Sequence, residues 1–304
     1  MSESEPTLAQ PGGSRARVAF DRLLVEVRPK LHRYCARMTG SVIDGEDVLQ
    51  EAMVNAIEAF PRAGPIANPE GWLFRIAHNA ALDFLRRRAR LAATRSDEDV
   101  TMIADPNTSD DGPSAAAASL RTFMRLPVAQ RSTVILKDVL GYSLEEISAV
   151  MGGATIPTVK AALHRGRTRL REIAHEPDQQ AIPTLSAHER TLLAAYVERF
   201  NARDFDSVRD MLADEVRLEL VARTRMNGRA EVNRYFSNYS RTNDWRFVLG
   251  LVDGRAAALA YDPDRPSATP SYFVLLRWAG GKLLDIRDFR YARYVTDGAE
   301  FLAL

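Results

Sequence analysis

One run of thirty residues, Tyr142 to Arg171, restricts the architecture of this chain more than any other stretch. Ser143 stands where an N-cap is needed, with Glu146 three residues on, and Leu144, Ile147, Val150 and Met151 follow at helical spacing. That predicts a short helix ending at Gly152. Gly152 to Thr155 form a turn, and Pro157, with its fixed φ and missing donor, favours a second helix from about that point. Two short helices across a Gly-containing turn make a helix-turn-helix.

The second helix has two unlike sides when residues are placed about 100° apart. Val159, Leu163, Gly166, Leu170 and Ile173 form one stripe. Lys160, His164, Arg165 and Thr168 point away from it, Arg167 and Arg171 flank the seam, and no acidic residue occurs between Pro157 and Arg171. A helix with one buried side and one unbroken cationic side suits the major groove of DNA, where Arg and Lys meet phosphates and guanine edges.

The rest of the chain must support that element. Its 304 residues, 46% hydrophobic, are enough for two or three domains, and no apolar run is long enough to cross a bilayer. A single cysteine, Cys35, leaves no internal disulfide and no cysteine-based zinc cluster, in keeping with a reducing cytoplasm. No residue pattern asks for a cofactor or a metal. The net charge of +1 argues against indiscriminate coating of nucleic acid, while local clusters at Arg86 to Arg90 and along the helix above permit a specific contact.

Ahead of the helix-turn-helix, Phe20, Leu23, Leu24, Val27, Leu31, Tyr34 and Met38 predict an amphipathic helix from Ala19 to Thr39, bent or divided at Pro29. A second helix is expected from Asp44, as N-cap, to Phe60, burying Val48, Leu49, Ala52, Met53, Ala56 and Ile57 and leaving Asp47, Gln50, Glu51 and Glu58 outside. After a loop from Pro61 to Pro69, a third helix to about Leu91 turns Arg75, Asn79, Asp83, Arg86 and Arg90 outward. Asp97 to Pro113 reads as an acidic, loop-like linker. Two further helices, Ser114 to Arg125 and Pro127 to Leu140, are expected to support the helix-turn-helix.

Four runs, DGEDVLQEA, GWLFRIAHNAALDFLRRRAR, LPVAQRSTVILKDVLGYSLEEI and TVKAALHRGRTRLRE, together resemble a bacterial extracytoplasmic-function sigma factor of the sigma-70 family, over roughly Phe20 to Ile173. The resemblance implies a transcription initiation factor, not an enzyme, whose partners are core RNA polymerase, through its β′ clamp helices and β flap, and promoter DNA. By position, Asp47, Gln50 and Glu51 would meet polymerase; Arg75, Asn79, Asp83, Arg86 and Arg87 would serve the −10 element; Lys160, His164, Arg165, Arg167 and Thr168 would read the −35 element. The turn GGATIPTVK is about a residue longer than the usual family form and has Pro157 where Gly is common, so the register of base contacts is open.

Beyond the linker His175 to Thr184 the pattern changes to helix, helix, strand, helix and four further strand-like runs, with Gly280-Gly281 as the last hairpin turn. This is the order of an α+β cone, and NARDFDSVRDMLADEVRLEL with LLDIRDFRY resembles the SnoaL-like branch of the NTF2-like fold. The expected organisation is a disordered lead-in (1–17), sigma region 2 (18–92), a flexible linker (93–113), sigma region 4 (114–175), a linker (176–185) and a SnoaL-like domain (186–304). Two all-α domains thus precede an α+β one. The last domain is expected to modulate the others in cis and to offer room for an unknown small-molecule ligand. The alternative is a SnoaL-like isomerase or hydrolase fused to a DNA-binding module. His188, expected before the first helix of that domain, is poorly placed for it, and Asp244, Asp253, Asp285 and Asp288 read as solvated strand edges or turns.

Overall fold

The computed structural model describes residues 14–93, 118–174, 185–264 and 267–304. The N-terminal lead-in, the acidic linker, the start of the helix expected at Ser114 and most of the second linker lie outside the described residues. The chain forms two compact units, residues 1–178 and 179–304.

In the first unit, α1 (Ser14–Thr39) runs unbroken through Pro29. Pro29 removes the donor for the Val25 carbonyl, and Val25 is 74% exposed, so the lost bond falls on the solvent side of the helix and no break is forced. Helix α2 (Val42–Ala59) starts earlier than expected, because the Ser41 hydroxyl accepts from the backbone N–H groups of Ile43 and Asp44. Asp44 is therefore a first-turn carboxylate rather than the cap. Ile57, expected inside, is exposed together with Val54. Helix α3 (Pro69–Ala93) completes this half, and Phe20 stacks on Phe60 with ring centroids 4.0 Å apart.

The other half comprises α4 (Leu120–Met124), α5 (Val128–Val134), which widens into a π-helical turn over Ile135–Val139, then α6 (Leu144–Val150) and α7 (Ile156–Ala174). The Ser143–Glu146 capping box is formed in both directions, and Gly152 and Gly153 take φ of 77° and 86° in the turn, a region open to Gly at little cost. Gly166 lets α7 approach α5: a Cβ there would lie 2.7 Å from Val134 Cγ2.

Within this unit the two halves pack against each other around a buried guanidinium. Arg131 on α5 donates to the carbonyls of Met38 (2.6 Å), Leu126 (2.9 Å) and Met124 (3.1 Å). Burial lowers its pKa to about 10, still well above neutrality, so it remains charged. Nearby, the Tyr34 hydroxyl lies 2.7 Å from His78 Nδ1 and 3.4 Å from Ser132 Oγ, and Tyr142 donates to Glu70 at 2.5 Å beneath Lys30.

Among its described residues the second unit forms one seven-stranded sheet with three α-helices. Strands β1 (Leu212–Leu220), β2 (Thr224–Asn227), β3 (Arg246–Val252), β4 (Arg255–Tyr261), β5 (Tyr272–Ala279), β6 (Lys282–Asp288) and β7 (Phe301–Ala303) lie in the order β2-β1-β6-β5-β4-β3-β7. Only the β1–β6 pair is parallel. Helices α8 (Ala187–Asn201), α9 (Phe205–Asp210) and α10 (Arg229–Tyr239) contribute to its core, where Tyr196, Phe200, Tyr235, Phe236, Trp245, Phe247 and Tyr272 are buried. His188 falls in the exposed first turn of α8, not ahead of it.

Candidate functional site

On α7 the buried stripe is as spaced: Val159, Leu163, Gly166, Leu170 and Ile173 all pack inward. Lys160, His164 and Arg165 stand exposed on the opposite side. Arg167 instead makes a two-bond pair with Asp138, Nε to Oδ2 at 2.9 Å and Nη2 to Oδ1 at 2.5 Å, which ties α7 to the π-helical turn after α5. The Thr168 hydroxyl is buried and has no hydrogen-bond partner among the described residues. Three of the five side chains expected at a duplex, Lys160, His164 and Arg165, therefore face outward.

Along α3, Arg75 and Asn79 are exposed one turn apart, while Asp83 accepts from Arg86 at 2.7 Å. Arg87 reaches across to α2 and donates to both Glu51 oxygens, at 3.3 and 2.7 Å. The two sets expected to serve DNA and polymerase thus share an ion pair. Asp47 is exposed on α2, and Gln50 donates to Glu46 at 3.4 Å. Glu46 itself is fully buried and held by Arg28 at 2.6 Å, so this acid of the DGED run faces inward while its neighbours face out. Asp47, Glu51, Val54 and Glu58 recur every three or four residues, and with exposed Ile57 they form a ridge that is acidic and apolar together.

The second unit holds a feature that the strand-edge reading of its aspartates missed. Asp288 is wholly buried. Its Oδ2 accepts from Tyr239 (2.7 Å) and Tyr235 (2.9 Å), and its Oδ1 accepts from the backbone N–H of Arg290 (2.8 Å). With its one proton on Asp288, Tyr239 accepts from Tyr272 at 3.2 Å, and Tyr272 accepts from the Arg290 guanidinium at 3.0 Å. Asp244 grips the same guanidinium with two 2.8 Å bonds. Burial pushes the Asp288 carboxyl up, against the pull of Tyr239, the Arg290 N–H, Tyr235 and the Arg290 charge; the net shift is upward. A cavity of about 90 Å³ opens beside Tyr235, Tyr239, Asp288 and Arg290, and the fully buried Tyr196 hydroxyl has no partner among the described residues. Asp285 pairs with Arg217 and Arg277, and Asp253 accepts from the Glu300 N–H, so all four aspartates are engaged. Two tyrosines at i and i+4 on α10, with an aspartate at a core position of β6, were the available sign of this cluster.

Among the described residues no group of three His, Cys, Asp or Glu side chains is arranged to hold a metal ion, and no helix is long and apolar enough to cross a membrane.

Comparison with known proteins follows the same divisions. Residues 23–91 match the Sigma-70 region 2 family model, residues 120–170 match Sigma-70, region 4, and residues 193–288 match the SnoaL-like domain. The ECF RNA polymerase sigma factor SigM of Mycobacterium tuberculosis is 37% identical over 169 residues, covering 56% of this chain and 83% of that protein. The RNA polymerase sigma factor CarQ of Myxococcus xanthus is 33% identical over 161 residues, 53% of this chain and 92% of CarQ. The ECF RNA polymerase sigma factor SigG of Mycobacterium tuberculosis is 26% identical over 264 residues, 77% of this chain and 71% of SigG.

Proposed function

This chain belongs to the extracytoplasmic-function RNA polymerase sigma factors, and from that premise we propose which of its surfaces carry the work. As a member it engages core RNA polymerase and directs initiation at promoter DNA. Lys160, His164 and Arg165 on α7 read the −35 duplex, with Arg167 holding the helix in place through Asp138. Arg75 and Asn79 serve the −10 strand, and Asp83, Arg86 and Arg87 set the charge around them. The α2 ridge of Asp47, Gln50, Glu51, Val54 and Ile57 docks on the β′ clamp helices, and α4 to α7 meet the β flap. The protein works in the cytoplasm, where its polymerase is.

The observation that carries this reading is the one-sided cationic face of α7, exposed while its other side is fully packed. Run-off transcription with core polymerase, on a promoter taken from upstream of the protein's own gene, tests it. A defined start point that Lys160→Ala and Arg165→Ala weaken is expected; a start point indifferent to both substitutions refutes the assignment.

The packed helical unit also sets a geometric requirement. About 160 residues have a radius of gyration of roughly 15 Å, hence a span near 40 Å. Promoter elements about 25 base pairs apart lie roughly 85 Å apart on B-DNA at about 3.4 Å per step. One packed body does not touch both, so the halves separate at the Arg131 contact when the promoter is bound.

The SnoaL-like domain modulates these steps in cis. A tether of about ten residues gives an effective concentration on the order of millimolar, so a weak contact is enough. Removing the residues after Pro177 is expected to change promoter output while core binding persists. A second reading, an isomerase or hydrolase, draws on buried Asp288 among three tyrosines. Against it, three donors already occupy that carboxylate and the adjoining cavity of about 90 Å³ is small.

A further inference from the structure

Strand alternation gives the sheet of the second unit a face opposite its aromatic core. Val216, Leu218, Leu220 and Ile286 turn into that core. Arg217 and Glu219 on β1 alternate with the first three and so stand on the other face. Register then aligns their neighbours: Arg217 lies beside Asp285, which lies beside Arg277, and Arg225 lies beside Glu219, which lies beside Arg287. Each carboxylate is held between two guanidiniums, with Arg217 Nε 2.9 Å from Asp285, Arg277 in contact with the same acid, Arg225 3.0 Å from Glu219 and Arg287 2.9 Å from it. These six side chains line a groove of about 920 Å³.

The two triads do not cancel. Four arginines against two acids leave two positive charges, and the depth of the groups separates the signs further. The Glu219 and Asp285 side chains are 17% and 21% exposed, whereas Arg217, Arg225 and Arg277 are 62%, 70% and 56% exposed. Arg217 and Arg277 have five donors each and share the about four acceptor sites of Asp285, so more than half of their donors have no acceptor within that triad. Burial pushes Glu219 up, but Arg287 and Arg225 outweigh it and hold its pKa below the usual range, so Glu219 stays ionised near neutrality. Glu219 on β1 and Asp285 on β6 lie one strand apart and two register positions apart along the strands, which spaces the triads by about 8 Å.

We propose that this groove binds a small organic molecule bearing two anionic groups, phosphate or carboxylate, one at each arginine triad, with its body along the apolar floor near Leu275. The volume lies in the range of small-molecule sites, about 300 to 1,000 Å³. Two other occupants fit less well. A second copy of this face would oppose one cationic array to another, and a nucleic-acid strand would need rings for its bases to stack on, whereas no aromatic side chain is among the described residues lining the groove.

Isothermal titration of the full chain with propane-1,3-diol bisphosphate and, separately, with adipate, whose anionic groups can spread toward that spacing, tests the proposal, each against sodium chloride at matched ionic strength. The variants are Arg217→Gln/Arg225→Gln, whose side chains are largely exposed, with an unchanged circular-dichroism spectrum required of them, and Lys160→Ala/Arg165→Ala on α7. Expected is one saturable site, weakened about tenfold or more by the groove pair and unchanged by the α7 pair. Binding of the bisphosphate alone would indicate a phosphorylated ligand and of adipate alone a dicarboxylic acid. Heats equal to those of chloride, loss of binding with the α7 pair, or self-association by sedimentation that the groove pair abolishes would each overturn it. None of these readouts depends on transcription, so failure here leaves the sigma-factor assignment untouched.

Discussion

Taking the protein from about pH 7 to about pH 5 should remove roughly 2 kcal/mol of stability from the helical unit through one residue, His78. This side chain is 6% exposed, and burial lowers its pKa from 6.5 to about 4. Its Nδ1 faces the Tyr34 hydroxyl, which also approaches Ser132 and must give its proton to one of them. The 2.7 Å bond to Nδ1 is available to the neutral imidazole in either tautomer, with Tyr34 donating to Nδ1 or accepting from it. Because the folded-state pKa is depressed, the unfolded chain binds the proton first. The contribution is complete above about pH 6.5, is lost as pH falls through the folded value, and is exhausted below about pH 4, for a total of about 3 kcal/mol. At pH 5 about two-thirds of it has gone. Urea denaturation followed by far-ultraviolet circular dichroism, at both pH values, measures this on the native chain and on His78→Gln. Glutamine accepts the Tyr34 bond and does not titrate, and the carboxylates common to both proteins cancel in the difference. The native chain should lose about 2 kcal/mol more than the variant; equal losses within about 0.5 kcal/mol would refute the assignment of the buried neutral imidazole.

Other positions make separate demands. Arg131→Met keeps the apolar stem but strands the carbonyls of Met38, Met124 and Leu126, and should lower the urea midpoint by the equivalent of about 3 kcal/mol at unchanged slope. Gly166→Ala gains about 1 kcal/mol of helix propensity yet forces a methyl to 2.7 Å from Val134 Cγ2; net destabilisation of about 1 to 2 kcal/mol is expected, relieved by adding Val134→Ala. Lys160→Ala should weaken binding to a −35 duplex and flatten its logarithmic salt dependence by about 1, read by fluorescence anisotropy. Arg167→Ala should act first on stability, through the lost Asp138 pair, and leave that salt slope closer to the native value.

The helix-turn-helix was legible because everything that specifies it is local. A capping box spans three residues, the apolar stripe repeats within one helix, and the turn needs two glycines at positive φ. The hairpin at Gly280-Gly281 was legible for the same reason, with φ of 56° and 75°. Local signals also misled where two candidates competed. Ser41 and Asp44 both suit an N-cap, and what selects Ser41 is burial of Val42 and Ile43 in the first turn, which draws the helix start forward. Strands β2 and β7 are four and three residues long, too short to show alternation, and exist because β1 and β3 offer them a free edge. Ile57 scored as core by period, yet α2 has more apolar positions than α1 and α3 cover.

Buried charge was the least legible feature, for a reason that applies to both units. Periodicity assigns a charged residue to the outside, and only long-range partners reverse that. Arg131 finds Met38 from 93 positions away, and Asp288 finds Tyr239 and Tyr235 from 49 and 53 positions away. Each hub therefore fixes one geometry: a guanidinium satisfied by three carbonyls tolerates no slippage between α1 and α5, and a carboxylate satisfied by two phenols and an N–H fixes α10 against β6. The surface charges obey the opposite rule. Lys160, His164 and Arg165 were legible because exposure alone places them, but Arg167, Arg86 and Arg87 are exposed or half-exposed as well and still pair within the chain. What divides the two groups is a carboxylate within reach, Asp138, Asp83 or Glu51, and that depends on how neighbouring turns and helices pack rather than on the spacing of the cations themselves.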